Sequence, residues 1–215
     1  ITNINGKFDN TVTLTSVKKI SISGDIDSTG DILTNEDLSI NGKLENDGTV
    51  ETSKSVKVSG DIRNSGKILS NGDLNGKNTV STGDIVSKNI TVDDLKNDGK
   101  ISATENINAK KVTNTGDVVA AGTISSDDMV TSGTVKSNKK ITVSGKLENA
   151  GTVETSEEIK VSGNIRNDGN IVTNENLSGK NTENNGSIYA KNLKINNLKN
   201  DGKIESMDLK TDDVV

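Results

Sequence analysis

Residues Leu44–Val58 read LENDGTVETSKSVKV, and this stretch decides the fold. Apolar and polar residues alternate in short runs, T-V-E-T and then V-K-V, which is the period-two signature of a strand. Gly48 stands between Asn46 and Val50, two residues from each. The same order recurs along the chain at Gly30, Gly48, Gly66, Gly83, Gly99, Gly116, Gly133, Gly151, Gly169, Gly186 and Gly202, spaced by 16 to 18 residues. Two residues after each glycine comes Ile or Val, without exception. Four residues after it comes Ser, Thr or Ala, as at Thr52, Ser70, Ala103 and Thr155. Asn dominates two residues before it, at Asn46, Asn64, Asn97, Asn114, Asn149, Asn167, Asn184 and Asn200. A further apolar pair usually follows, as in Leu38/Ile40, Val56/Val58, Ile141/Val143 and Ile159/Val161. The first segment fits in phase through Leu14, Ser16, Ile20 and Ile22, with Val12 in place of the glycine, so there are about twelve units.

A longer repeat lies above this one. Residues 42–101 align without a gap with residues 145–204, a shift of 103 residues, and 37 of the 60 positions are identical. GKLENDGTVETS recurs as GKLENAGTVETS, and LKNDGKI recurs unchanged. A block of six units has been duplicated within what reads as one continuous segment over residues 1–215.

Units of this size exclude an amphipathic helix, because a glycine falls in every window of 18 and no 3.6-residue stripe persists. They are also too short for an antiparallel sandwich repeat. They suit one coil of a β-solenoid, in which each strand pairs in parallel with its equivalent one coil on. The expected fold is therefore all-β: a right-handed, single-stranded parallel β-helix of about twelve coils of 16–18 residues, right-handed because parallel crossovers are. Inner Ile and Val columns would form a narrow dry core. The small residue would fit a tight corner, the glycine would supply positive φ at the bend, and the Asn column would stack its amides from coil to coil.

Composition agrees. Ile, Val, Leu and Phe make up about a quarter of the chain; there is one Phe, one Tyr and no Trp. That fills a thin aliphatic core and no wide one. Pro is absent, as befits backbone that keeps donating hydrogen bonds. The net charge of −5 and only two arginines, Arg63 and Arg166, argue against nucleic acid as a partner. No apolar run is long enough to span a bilayer. There is no charged-then-apolar leader at the start, and Ile1 in place of an initiator Met reads as an excised piece.

The unit L-x-N-x-G-x-V-x-T/S/A with its following apolar pair is clearest in Leu44–Val58, Leu147–Val161 and Leu95–Ala109. It resembles the adhesin repeats of the filamentous haemagglutinin family, large exoproteins exported by two-partner secretion. The resemblance covers nearly the whole chain. It implies a shaft segment of a secreted bacterial surface adhesin or exoprotein, located outside the cell. It also implies two partners: an outer-membrane secretion partner, and a host-cell glycan or protein receptor. The family's Pro-containing secretion motif is missing here, as is any toxin region.

Chemistry is poorly provided for. With no His and no Cys, Ser-His, Cys-His and His-metal sites are excluded. The adjacent pairs Asp93/Asp94, Asp127/Asp128 and Asp212/Asp213 point to opposite faces of a strand and do not converge. Asp25, Asp61 and Asp73 follow a glycine or asparagine-glycine corner and read as corner formers rather than calcium ligands. No catalytic, cofactor or metal residue is expected, and no small-molecule substrate. Two other classes compete with the shaft. One is a binding face of Thr and Asn on the solenoid itself; the other is an intracellular β-helical polymer similar to bactofilins. A solenoid cut across its axis exposes unpaired strand edges, so the isolated chain should fray at its ends or associate end to end.

Overall fold

The structure, a computed structural model, describes residues 2–214. The chain divides into two compact units, Ile1–Asn106 and Ile107–Val215. Each is a parallel β-solenoid, and there is no helix among the described residues. The expected stacking is therefore present in both.

In the first unit a coil consists of three short strands, for example Leu38–Ile40, Leu44–Asn46 and Thr49–Thr52. Each pairs in parallel with its equivalent one coil on. Leu38 lies opposite Val56, Leu44 opposite Ile62, and Val50 opposite Ile68. The register keeps like beside like, so inward columns run Ile32, Val50, Ile68, Ile85 and Ile101, all fully buried apart from traces. The second unit repeats this: Val118, Val135, Val153, Ile171 and Ile188 form the same buried column. The pairing of Leu147 with Ile165 is that of Leu44 with Ile62 displaced by the 103-residue repeat. Coils of 18 residues keep three separate strands. In several shorter coils a strand runs through the first corner, as in Ile90–Asn97, Ile107–Asn114 and Asn176–Asn184.

The reason for the glycines differs from the expected one. Among the described residues only Gly6 has positive φ, at 88°. The recurrent glycines are needed for close approach. A Cβ on Gly48 would stand 2.2 Å from the carbonyl oxygen of Gly30, and one on Gly66 2.1 Å from that of Gly48. Successive coils touch backbone to backbone at this corner, and no side chain fits between them.

Most fourth-position residues, from Thr34 to Ala190, are buried, not merely tucked into a bend. Several of their hydroxyls bond the neighbouring coil: Thr34 Oγ1 donates to Lys18 O at 2.8 Å, Ser70 Oγ to Lys54 O at 2.7 Å and Ser87 Oγ to Gly72 O at 2.8 Å. The Asn column stacks as expected. Asn46 Nδ2 donates to Asn64 Oδ1 at 2.8 Å, and in the second unit Asn149, Asn167, Asn184 and Asn200 form a continuous chain of amides at 2.7–2.8 Å. Each amide also donates to the carbonyl of its own glycine, as Asn167 does to Gly169 O at 3.0 Å. Inward amides thus satisfy corner carbonyls that water cannot reach.

One flaw is duplicated with the block. Thr79 and Thr182 replace an aliphatic residue in an inner column, opposite Ile62 and Ile165, and their buried hydroxyls have no partner. An unsatisfied buried hydroxyl costs about 1–2 kcal/mol. Thr79→Val and Thr182→Val should each raise the free energy of unfolding by about that much, read from denaturant midpoints at unchanged m-value. A fall in stability would show that a hidden bond exists.

Candidate functional site

Among the described residues the outward positions of the strands face solvent. On the second strand most coils carry an outward charge, and Glu148, Arg166, Glu183 and Lys199 of the second unit line a shallow depression of about 450 Å³. Lys199 Nζ lies 3.0 Å from Glu183 one coil below, while Arg166 Nε lies 3.2 Å from Asp168 of its own coil. Elsewhere Lys136 meets Glu154 at 2.8 Å and Lys191 meets Glu175 at 3.3 Å, each across one coil step.

These pairs also explain the sequence drift between the two blocks. Lys54 of the first unit pairs with Glu36 one coil below. The positions one block on are Glu157 and Lys139, with the signs exchanged. The ion pair there is Lys140 with Glu158, at 2.6 Å. Opposite charges on adjacent coils are kept although each residue has changed.

The first strand of the first unit is different. Its outward residues are small and mostly uncharged. Ser21, Ser23, Ser39, Asn41 and Ser59 border a shallow depression of about 750 Å³, with Lys57 at one side. The floor contains Ile22, Ile40 and Val58. Ser59 Oγ donates to Asn41 Oδ1 at 3.1 Å, so part of the polar rim is already engaged.

The aspartates singled out in the sequence are structural or exposed. Asp25 Oδ1 accepts the backbone N–H of Lys43 at 2.8 Å. Asp61 Oδ1 accepts the Asn78 amide at 3.0 Å, and Asp73 Oδ1 accepts that of Asn89 at 2.9 Å. Asp128 Oδ1 accepts the N–H of Lys146 at 2.9 Å, while its neighbour Asp127 faces solvent. Asp93 is half-buried and Asp94 exposed; Asp212 and Asp213 are both exposed. Among the described residues no three His, Cys, Asp or Glu side chains are grouped so as to hold a metal ion.

Asp31 and Asp37 were not singled out, yet they do the same as Asp25. Asp31 Oδ1 accepts the N–H of Thr49 at 3.2 Å, and Asp37 Oδ1 that of Ser55 at 3.0 Å. The signal is an Asp or Asn immediately before the first aliphatic of a strand. It tethers the corner to the next coil. No protein-family model, curated protein or solved structure matches this chain.

Charged groups with shifted pKa are all at the surface. A hydrogen bond from Asn185, with help from Arg166, holds the Asp168 carboxyl below its usual range, and Lys203 does the same for Glu205. The carboxylates Glu36, Glu158 and Glu183 raise Lys54, Lys140 and Lys199 above the usual lysine value. Lowered carboxyl values give stability that is present above about pH 4 and lost as acid titrates the folded form. Raised lysine values give stability that is present below about pH 10.5 and lost above it. Thermal midpoints should therefore be flat from about pH 5 to about pH 9.5 and fall only outside that window. A step near neutrality would contradict this.

Proposed function

We propose that the chain is a spacer, a shaft segment of a secreted bacterial surface protein of the filamentous haemagglutinin kind, holding a binding or effector region away from the cell. One observation carries this reading. The ladders spend the corner groups of each coil on the next coil, and the spacing leaves no insertion that could build a groove. Asn, Ser, Thr and Asp side chains serve the stack, and outward charges pair along it. The six coils of the first unit, at about 4.8 Å each, contribute about 29 Å of reach. On this reading the protein is not an enzyme and needs no cofactor.

Antibody raised against the purified chain should label intact cells of the source organism, and external protease should remove that label. Labelling seen only after lysis would replace the exported shaft with an internal polymer. A second reading, a recognition face, is favoured by the Ser- and Asn-rimmed depression of the first unit, where small hydroxyl and amide groups surround an apolar floor. On glycan arrays and cultured cells the isolated chain is expected to show no saturable binding. Saturable binding that Ser39→Lys abolishes would assign recognition to that face.

A further inference from the structure

Asn41 is followed by a glycine at an exposed corner of the first unit. Five Asn-Gly pairs occur in the chain, beginning at Asn5, Asn41, Asn71, Asn75 and Asn185. An asparagine in this context carries its own reaction. The next backbone nitrogen can reach the side-chain amide carbon, and glycine has no Cβ to obstruct it. Exposure does not rank the pairs: Asn5, Asn41, Asn71 and Asn185 are exposed, and Asn75 is half-buried. The attacking N–H does rank them. That of Gly72 donates to Lys54 O at 2.9 Å, that of Gly76 to Thr91 O at 3.2 Å and that of Gly186 to Asn167 O at 3.0 Å. That of Gly6 donates to Ser23 Oγ at 3.0 Å. That of Gly42 meets no acceptor among the described residues.

The contrast is local. At the same corner one coil on, Gly60 N donates to Gly42 O at 2.9 Å, and in the second unit Gly163 N donates to Gly145 O at 2.9 Å. The corresponding bond from Gly42 N to Gly24 O is not made, although the two backbones touch. A Cβ on Gly42 would stand 2.6 Å from both the carbonyl carbon and the oxygen of Gly24. Close approach therefore fixes the glycine and leaves its N–H free. The Asn41 side chain is suited to the attack. Its Oδ1 accepts from Ser59 Oγ at 3.1 Å, which draws charge from Cγ, and its Nδ2 has no partner among the described residues. Serine holds this rung in the neighbouring coils, at Ser23 and Ser59, and the backbone N–H of all three residues bonds one coil below.

We propose that Asn41 is a self-modification site, the asparagine that the folded chain deamidates first. Gly42 N yields its proton to hydroxide and bonds Asn41 Cγ. The Cγ–Nδ2 bond breaks, and the departing nitrogen takes a proton from water and leaves as ammonia. Water then opens the cyclic imide at either carbonyl, giving an aspartyl or an isoaspartyl link. Either product places a carboxylate beside Lys57 on the rim of the Ser- and Asn-lined depression. The isoaspartyl link also lengthens the backbone at a corner where successive coils are in contact.

Whole folded chain held at mildly alkaline pH, sampled over days and mapped by peptide mass spectrometry, tests this. Asn41 should convert about five-fold faster than any of the other four pairs, the ratio set by freeing the attacking N–H from a bond worth about 1 kcal/mol. In urea, where no N–H is held, that lead should vanish. Asn41→Ser installs the residue that the neighbouring coils carry at this rung. It should keep the thermal midpoint and lose the early ammonia release and the acidic species. Another Asn-Gly pair converting first in the folded protein overturns the proposal. So does a lead of Asn41 that persists in urea, or early ammonia release that survives Asn41→Ser.

Discussion

Gly151→Ala should destabilise the second unit by about 3–5 kcal/mol, an effect out of proportion to one methyl group. The new Cβ would stand 2.1 Å from Gly133 O and 2.5 Å from the carbonyl carbon and oxygen of Ser132. All three atoms are backbone, so no rotamer can yield. Relief requires the coils to part, and parting stretches the bond from Thr152 N to Gly133 O, now 3.0 Å, and its neighbours. Overpacking costs about 1–3 kcal/mol and each weakened hydrogen bond about 1 kcal/mol. The thermal midpoint should fall by about 10 °C. Gly6→Ala is the control. Open space surrounds that position, but its φ of 88° disfavours a side chain, so the cost should be only about 1–2 kcal/mol. Equal costs at the two sites would sink the close-approach account.

Asn167→Ala should cost about 3–4 kcal/mol. The amide donates to Asn184 Oδ1 at 2.7 Å, Gly169 O at 3.0 Å and Ser187 O at 3.1 Å, and its oxygen accepts from Asn149 at 2.8 Å. Alanine strands all of these partners in a dry column, where an unmet polar group costs more than a bond returns. Asn167→Ser should cost about half as much, because the column already tolerates hydroxyls. Ser28 Oγ donates to Gly30 O at 2.8 Å and Ser81 Oγ to Gly83 O at 3.0 Å. A serine keeps the bond to its own glycine and gives up the reach to the next coil. Urea titrations of the three proteins decide it: serine as damaging as alanine would mean that the amide chain, not the corner carbonyl, holds the column.

The columns were legible because a parallel stack sets each residue beside its own kind. Ile32, Val50 and Ile68 align in the sequence itself, and so do Asn149, Asn167 and Asn184. The purpose of the glycines was not legible. Gly6 answers a dihedral demand and Gly48 a distance demand, yet the letter is the same, and only the neighbouring coil distinguishes them. The corner aspartates were half legible: Asp25 could be read as a corner former, but its bond to Lys43 lies a whole coil away. The exchange of Lys54 for Glu157 between the two blocks has its physical reason in the residues beside it one coil below, Glu36 and Lys139. No catalytic site could be read because a site needs residues that break the repeat, and Thr79 and Thr182, which break an inner column, concern packing.

The matching register of Leu44 with Ile62 and of Leu147 with Ile165 has a genetic consequence. A recombination event that gains or loses a whole number of coils joins edges that already fit, since each rung presents the same groups to its successor. Overall length in such a gene can therefore drift between lineages through unequal crossing-over, while a frame-preserving deletion of half a coil would be eliminated.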